Sequence, residues 1–145
     1  MPVLYGLGSA QGIVASRVRC QIHENSKSIA HSNTFPELNH NEILGWSRDG
    51  VGNIVDLAKW GGILFLFGDE SEKMKTRAKV TLGLVGEACN FHEVEAKGGS
   101  LLAKMLYLAS FGDYVSVYLA RLRQVDPEDI GMINQLKEAL ASVGI

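Results

Sequence analysis

The chain has 145 residues, 46% of them hydrophobic, with sixteen acidic against fourteen basic side chains and a formal charge of -2. That length suits one domain able to bury most of its unfolded surface, and the absence of a basic block excludes the electrostatic footprint of a nucleic-acid binder. No fully apolar run exceeds five residues, as at 63–67, and no charged-then-apolar leader opens the chain, so no membrane span and a cytoplasmic location are expected.

Pro2 to Tyr5, closed by Gly6-Leu7-Gly8, reads as a buried strand that turns sharply at its end. From Gly12 the apolar positions Ile13, Val14, Val18 and Ile22 recur at helical spacing, which predicts a helix from Gly12 to about Glu24. The polar segment from Gln21 to Trp46 then holds three of the four histidines. Within it, Asn39 stands three residues before Glu42 and ahead of Ile43 and Leu44. That spacing predicts a capping box, with Asn39 as the cap, Glu42 as its reciprocal partner and a short helix following.

Gly50, Gly52 and Gly61-Gly62 punctuate the chain before the continuous apolar run Ile63 to Phe67, a strand of the kind buried on both faces in parallel sheets. After the turn Gly68 to Ser71, the residues Met74, Ala78, Leu82 and Val85 mark the inner face of a helix reaching about Cys89. Phe91 to Glu95 is short and acidic, which suits an edge strand, and Gly98-Gly99 breaks the chain after it. Ser100 caps a long apolar helix that runs past Leu122 and ends at Val125-Asp126-Pro127, and Ile133 to Ala141 forms a last amphipathic helix. This order of elements predicts an α/β sandwich around a parallel sheet, in a single domain over residues 1–145.

Cys20 and Cys89 stand far apart with no CxxC spacing, so they are expected as reduced core thiols and not as metal ligands or a disulfide. The glycine turn Gly6 to Gly12 opens a helix after a strand, yet its third glycine falls one position late for a dinucleotide fingerprint and no acidic residue follows about 20 residues on. A tight strand-to-helix turn explains it, with a nucleotide site as the alternative.

Glu24 falls near the end of its helix, where the partial negative charge of the helix C-terminus opposes a carboxylate. On a surface it is a solvated glutamate. In a cleft the same field makes it a better proton acceptor near neutral pH. His40, directly after the predicted cap, would stand at a positive helix end that favours a neutral ring, although an ordinary histidine of a capping region looks the same. His23, His31 and His92 lack the spacing of a metal site and read as surface or supporting groups. Lys137 on the last helix gains interest only if that helix packs over the cleft of Glu24.

The stretches Gln21-Ile22-His23-Glu24-Asn25-Ser26-Lys27, Phe35-Pro36-Glu37-Leu38-Asn39-His40-Asn41-Glu42-Ile43-Leu44-Gly45-Trp46, Gly112-Asp113-Tyr114-Val115-Ser116-Val117-Tyr118-Leu119-Ala120 and Val125-Asp126-Pro127 resemble the C-terminal half of the bifunctional phosphoglucose/phosphomannose isomerases. The resemblance runs in order along essentially the whole chain. It implies the SIS (sugar isomerase) fold, a three-layer sandwich around a mainly parallel sheet. It also implies aldose–ketose isomerisation of sugar phosphates with no metal or organic cofactor. By motif match Glu24 is the base that moves a proton between C2 and C1, His40 assists ring opening from a neighbouring subunit, and Lys137 on the last helix also serves ring opening. The family carries two SIS domains, with the phosphate-holding loop in the first. The expected partner is therefore a second copy in a homodimer or an N-terminal SIS domain, without which the chain is expected to be incomplete; a non-catalytic phosphosugar-binding or assembly domain is the alternative.

Overall fold

The computed structural model describes residues 1–47, 60–86, 89–141 and 143, so the expected breaks at Gly50 and Gly52 lie outside the described residues. Strand β1 (Pro2–Gly6) is followed by helix α1 (Ser9–Ser26), β2 (His31–Thr34), a 3-10 turn (Glu37–His40) and the one-turn helix α2 (Glu42–Gly45). Then come β3 (Gly61–Leu66), α3 (Glu72–Val85), β4 (Asn90–Glu95), α4 (Leu101–Arg123) and α5 (Gly131–Ala141). The four strands form one parallel sheet in the order β2-β1-β3-β4. Acidic β4 occupies an edge, as its composition predicts.

The other edge strand, β2, was not expected. His31-Ser32-Asn33-Thr34 contains no apolar residue, so it carries no period-two signal, and it is held by parallel backbone pairing of His31 with Val3 through Thr34 with Gly6.

Alternation along the two central strands divides the core into two layers. Val3, Tyr5 and Leu64 point to one face, where Ala78 and Val85 of α3 meet Phe35, Leu38 and Trp46 from the segment after β2. Leu4 and Phe65 point to the other, against Val14, Ala15, Val18 and Ile22 of α1 and Leu108 of α4. The result is a three-layer α/β sandwich.

Helix α1 begins at Ser9, three residues earlier than expected, because the chain turns at once after β1. The glycine turn exists for packing: a Cβ on Gly12 would come within 2.9 Å of Thr34 Cγ2, and closer still to Oγ1 of the same side chain. Contact between α1 and the end of β2 thus accounts for Gly12. Helix α3 stops at Val85 and not near Cys89. Of the two free thiols only Cys89 is buried; Cys20 is exposed, because the buried face of α1 follows Gln11, Val14, Ala15, Val18 and Ile22 and position 20 falls outside it.

Helices α1 and α4 lie side by side along a seam of small residues. Gly112, Ser116 and Ala120 of α4, four apart, are all buried. A Cβ on Gly112 would approach Val18 Cγ1 to 2.7 Å, so only glycine permits this distance between the helices. A polar ladder runs beside the seam: Arg17 Nη1 meets Asp113 at 2.6 Å, Gln21 donates to the same carboxylate at 3.0 Å, and Asn25 donates to Ser116 Oγ at 2.7 Å. Arg17, Gln21 and Asn25 follow one another at four-residue steps, so a single stripe of α1 sets its register against α4.

Candidate active site

The register of α1 determines where its last turn lies. Glu24 is exposed in that turn, which ends at Lys27 in a left-handed conformation with φ 51. The terminal carbonyls, left without helical partners, are taken up by cations. Lys27 Nζ donates to Glu24 O at 2.6 Å and to Pro127 O at 3.2 Å, and Arg123 Nε donates to Ser26 O at 3.0 Å. These bonds tie the end of α1 to the end of α4 and to the loop that leads into α5.

A cavity of about 440 Å³ opens at this junction. His23, Glu24, Lys27, Ser28 and Ile29 form one wall, and residues 129–133, where α5 begins, form the other. The Glu24 carboxylate has no side-chain partner among the described residues, so it is available on the wall of a mostly apolar cleft. His23 beside it is engaged, accepting at Nε2 from the Ala30 amide at 3.1 Å.

The other two expected site residues do not share this cleft. His40 is exposed and closes the 3-10 turn Glu37–His40 on the face of the sheet opposite α1. It therefore stands just before Asn41, the cap of α2, and not in the first turn of a helix. Lys137 lies along α5, whose first residues line the cavity, but it is not part of the lining. Six residues separate it from Gly131, about 9 Å of helix rise. Among the described residues, no three His, Cys, Asp or Glu side chains cluster as metal ligands.

Glu42 differs most from its expected role. The cap of α2 is Asn41, whose Oδ1 accepts from the Glu42 amide at 2.6 Å, whereas Asn39 lies in the 3-10 turn and donates to Thr81 Oγ1 at 2.7 Å. The Glu42 side chain instead turns onto the sheet. Its Oε1 accepts from the Tyr5 hydroxyl, and its Oε2 accepts from Asn33 Nδ2 and pairs with His31 Nε2 at 2.8 Å. Trp46 Nε1 donates to the Tyr5 hydroxyl at 2.9 Å, and the Tyr5 ring stacks on Phe91 with centroids 5.0 Å apart.

Burial pushes the Glu42 carboxyl upward, but hydrogen bonds from His31, Tyr5 and Asn33 outweigh it and hold the group below its ordinary value. The bond to Glu42 raises His31, against the opposing effect of burial. Burial, then the same carboxylate, raises Tyr5. Sequence reading missed this constellation because β2 was invisible to it; the odd-numbered polar residues His31 and Asn33, on one face of a strand, were the available signal.

Comparison with known proteins agrees with the fold and the family resemblance. The bacterial phospho-glucose isomerase C-terminal SIS domain matches residues 1–140. The bifunctional phosphoglucose/phosphomannose isomerase of Thermoplasma acidophilum is 37% identical over 97% of this chain and 42% of its own length. That of Caldicellulosiruptor bescii is 39% identical over 99% of this chain and 41% of its own. The chain thus spans about two fifths of the length of these relatives. In structure it is similar to a glucose-6-phosphate isomerase like protein from Thermus thermophilus, with a TM-score of 0.67 at 20% identity over 95% of this chain and 42% of that one. It is also similar to a glucosamine-6-phosphate deaminase from Thermotoga maritima, with a TM-score of 0.62 at 13% identity over 88% and 37%. The sandwich is accordingly of the SIS type, and the chain belongs to the family of bacterial phospho-glucose isomerase C-terminal SIS domains.

Proposed function

We propose that this chain is the C-terminal half of a sugar-phosphate isomerase that interconverts glucose 6-phosphate or mannose 6-phosphate and fructose 6-phosphate, a cytoplasmic enzyme of carbohydrate metabolism. The observation that carries the reading is Glu24, a carboxylate with no side-chain partner among the described residues, on the wall of the cleft between α1 and α5, in a chain of this family. Moving a proton from C2 to C1 of the open-chain sugar through an enediol needs one base that takes the proton and returns it, and a carboxylate does both. A group at the ring oxygen opens the sugar; His40 and Lys137 are the candidates by motif, and no metal or organic cofactor enters the scheme.

Glu24 and His40 belong to opposite faces of the sheet, which supports a site completed between chains, with His40 supplied by a partner. Exposed apolar side chains support such a partner. Leu101, Leu102, Leu106 and Leu122 of α4 and Ile133, Leu136 and Leu140 of α5 all face outward. A second copy and an N-terminal SIS domain are the proposed occupants. The same surface favours the second reading, a phosphosugar-binding or assembly domain without turnover.

The test is conversion of fructose 6-phosphate to glucose 6-phosphate by the chain alone and together with the N-terminal domain of a two-domain relative. Reconstituted protein is expected to turn over and Glu24→Gln to lose at least ~100-fold in kcat, the scale of a general acid–base contribution. Equal turnover by both would refute the base assignment. Calorimetric binding of the sugar phosphate by the isolated chain, with no turnover in either setting, would favour the second reading.

A further inference from the structure

We propose that Glu42 is a positioning residue for His40: it clamps the short segment that carries His40 onto the sheet. The inference rests on the isomerase reading, in which His40 acts on the substrate. The segment cannot hold itself in place. It consists of one 3-10 turn and one helical turn, four residues each, far below the length at which a helix persists unaided.

Its anchors are few. Leu38 and Trp46 are buried at its ends, Asn39 is bonded to Thr81 of α3, and between them Glu42 makes three side-chain contacts with two strands. Tyr5, one of its donors, belongs to the central strand β1 and lies 37 residues away in sequence. The carboxylate thus fastens a surface turn to the middle of the sheet, with His40 two residues from the fastening point and its own side chain exposed and without a hydrogen-bond partner among the described residues. A solvated glutamate at the start of a one-turn helix has no reason to bend inward; a carboxylate in reach of Tyr5, His31 and Asn33 does, since charge-assisted hydrogen bonds are about twice as strong as neutral ones.

The test is a double-mutant cycle in the reconstituted enzyme, with Glu42→Gln and His40→Asn made separately and together. If Glu42 acts through His40, Glu42→Gln lowers kcat about tenfold, changes KM by less than about twofold, and has almost no further effect once His40 is asparagine. His31→Ala, which removes one clamp contact at a half-exposed position, is the second variant; it should give a smaller loss masked in the same way. In parallel, amide hydrogen exchange on the chain itself should quicken at least about tenfold at residues 38–45 in Glu42→Gln, with β1 and β3 unchanged.

Equal losses in the wild-type and His40→Asn backgrounds, or unchanged exchange at 38–45, would overturn the proposal. If no form of the protein isomerises sugar phosphates, the isomerase reading fails by itself, and the exchange measurement still decides whether Glu42 is the clamp.

Discussion

Gly112→Ala probes the contact that fixes the direction of α1 and so the place of Glu24. The added methyl would lie 2.7 Å from Val18 Cγ1. Val18 Cγ2 would lie closer still, and carbon atoms in good contact stand ~3.5–4.0 Å apart, so the helices must separate by about 1.5 Å or Val18 must leave its rotamer. Val18 is fully buried and its rotamers in a helix are restricted, so the strain falls on the backbone. Overpacking of this kind costs about 1–3 kcal/mol, which for a chain of this length lowers Tm by roughly 2–12 °C.

The decisive comparison is a cycle with Val18→Ala, which alone costs about 1.5 kcal/mol or more by removing two buried methyl groups. In the double variant the shorter side chain makes room for the new methyl. Its destabilisation should therefore fall short of the sum by at least about 1 kcal/mol, measured by urea denaturation at constant m value. Additivity within about 0.5 kcal/mol, or a Gly112→Ala variant as stable as the parent, would show that the seam between α1 and α4 is not as tight as described.

The clamp at Glu42 predicts a bounded pH window. His31 is raised above its ordinary 6.5, so its contribution is complete below that value and is lost as pH rises through the raised one. Glu42 is lowered from 4.5, so its contribution is complete above that value and is lost as pH falls through the lowered one. Both are partly solvated, which limits the pair to about 1 kcal/mol, or ~2–4 °C in Tm. The loss on the alkaline side should vanish in His31→Ala; its persistence there would assign it to another group. On α5, where no side chain is buried, Leu136→Glu should change the stability of the isolated chain by less than about 0.5 kcal/mol. If α5 is a contact surface, the same change should abolish association in analytical ultracentrifugation. Undiminished association would remove this face from the interface.

The elements with strong periodicity were legible in the sequence: the apolar run of β3, the stripes of α1 and α3, and the capped length of α4. What escaped reading has specific physical causes. Strand β2 has no apolar residue and forms because a neighbour offers it a backbone edge, which no local pattern records. The role of Glu42 depends on Tyr5 across 37 residues and on that same unseen strand, whereas the local spacing Asn39 to Glu42 matched a capping box and suggested the wrong partner. At the site, the reading of Glu24 as a carboxylate at a helix end agrees with its place in the last turn of α1. The cleft beside it depends on how the loop at Pro127 returns, a long-range feature held by Lys27.

The most direct test of the account is proton exchange. Fructose 6-phosphate incubated in deuterated water with the reconstituted protein should gain deuterium at the carbons that exchange a proton through the enediol, as read by NMR. Glu24→Gln should gain almost none while keeping its fold, since the exposed carboxylate has no side-chain partner among the described residues. Deuterium incorporation at the wild-type rate in Glu24→Gln would contradict the claim that this residue is the base.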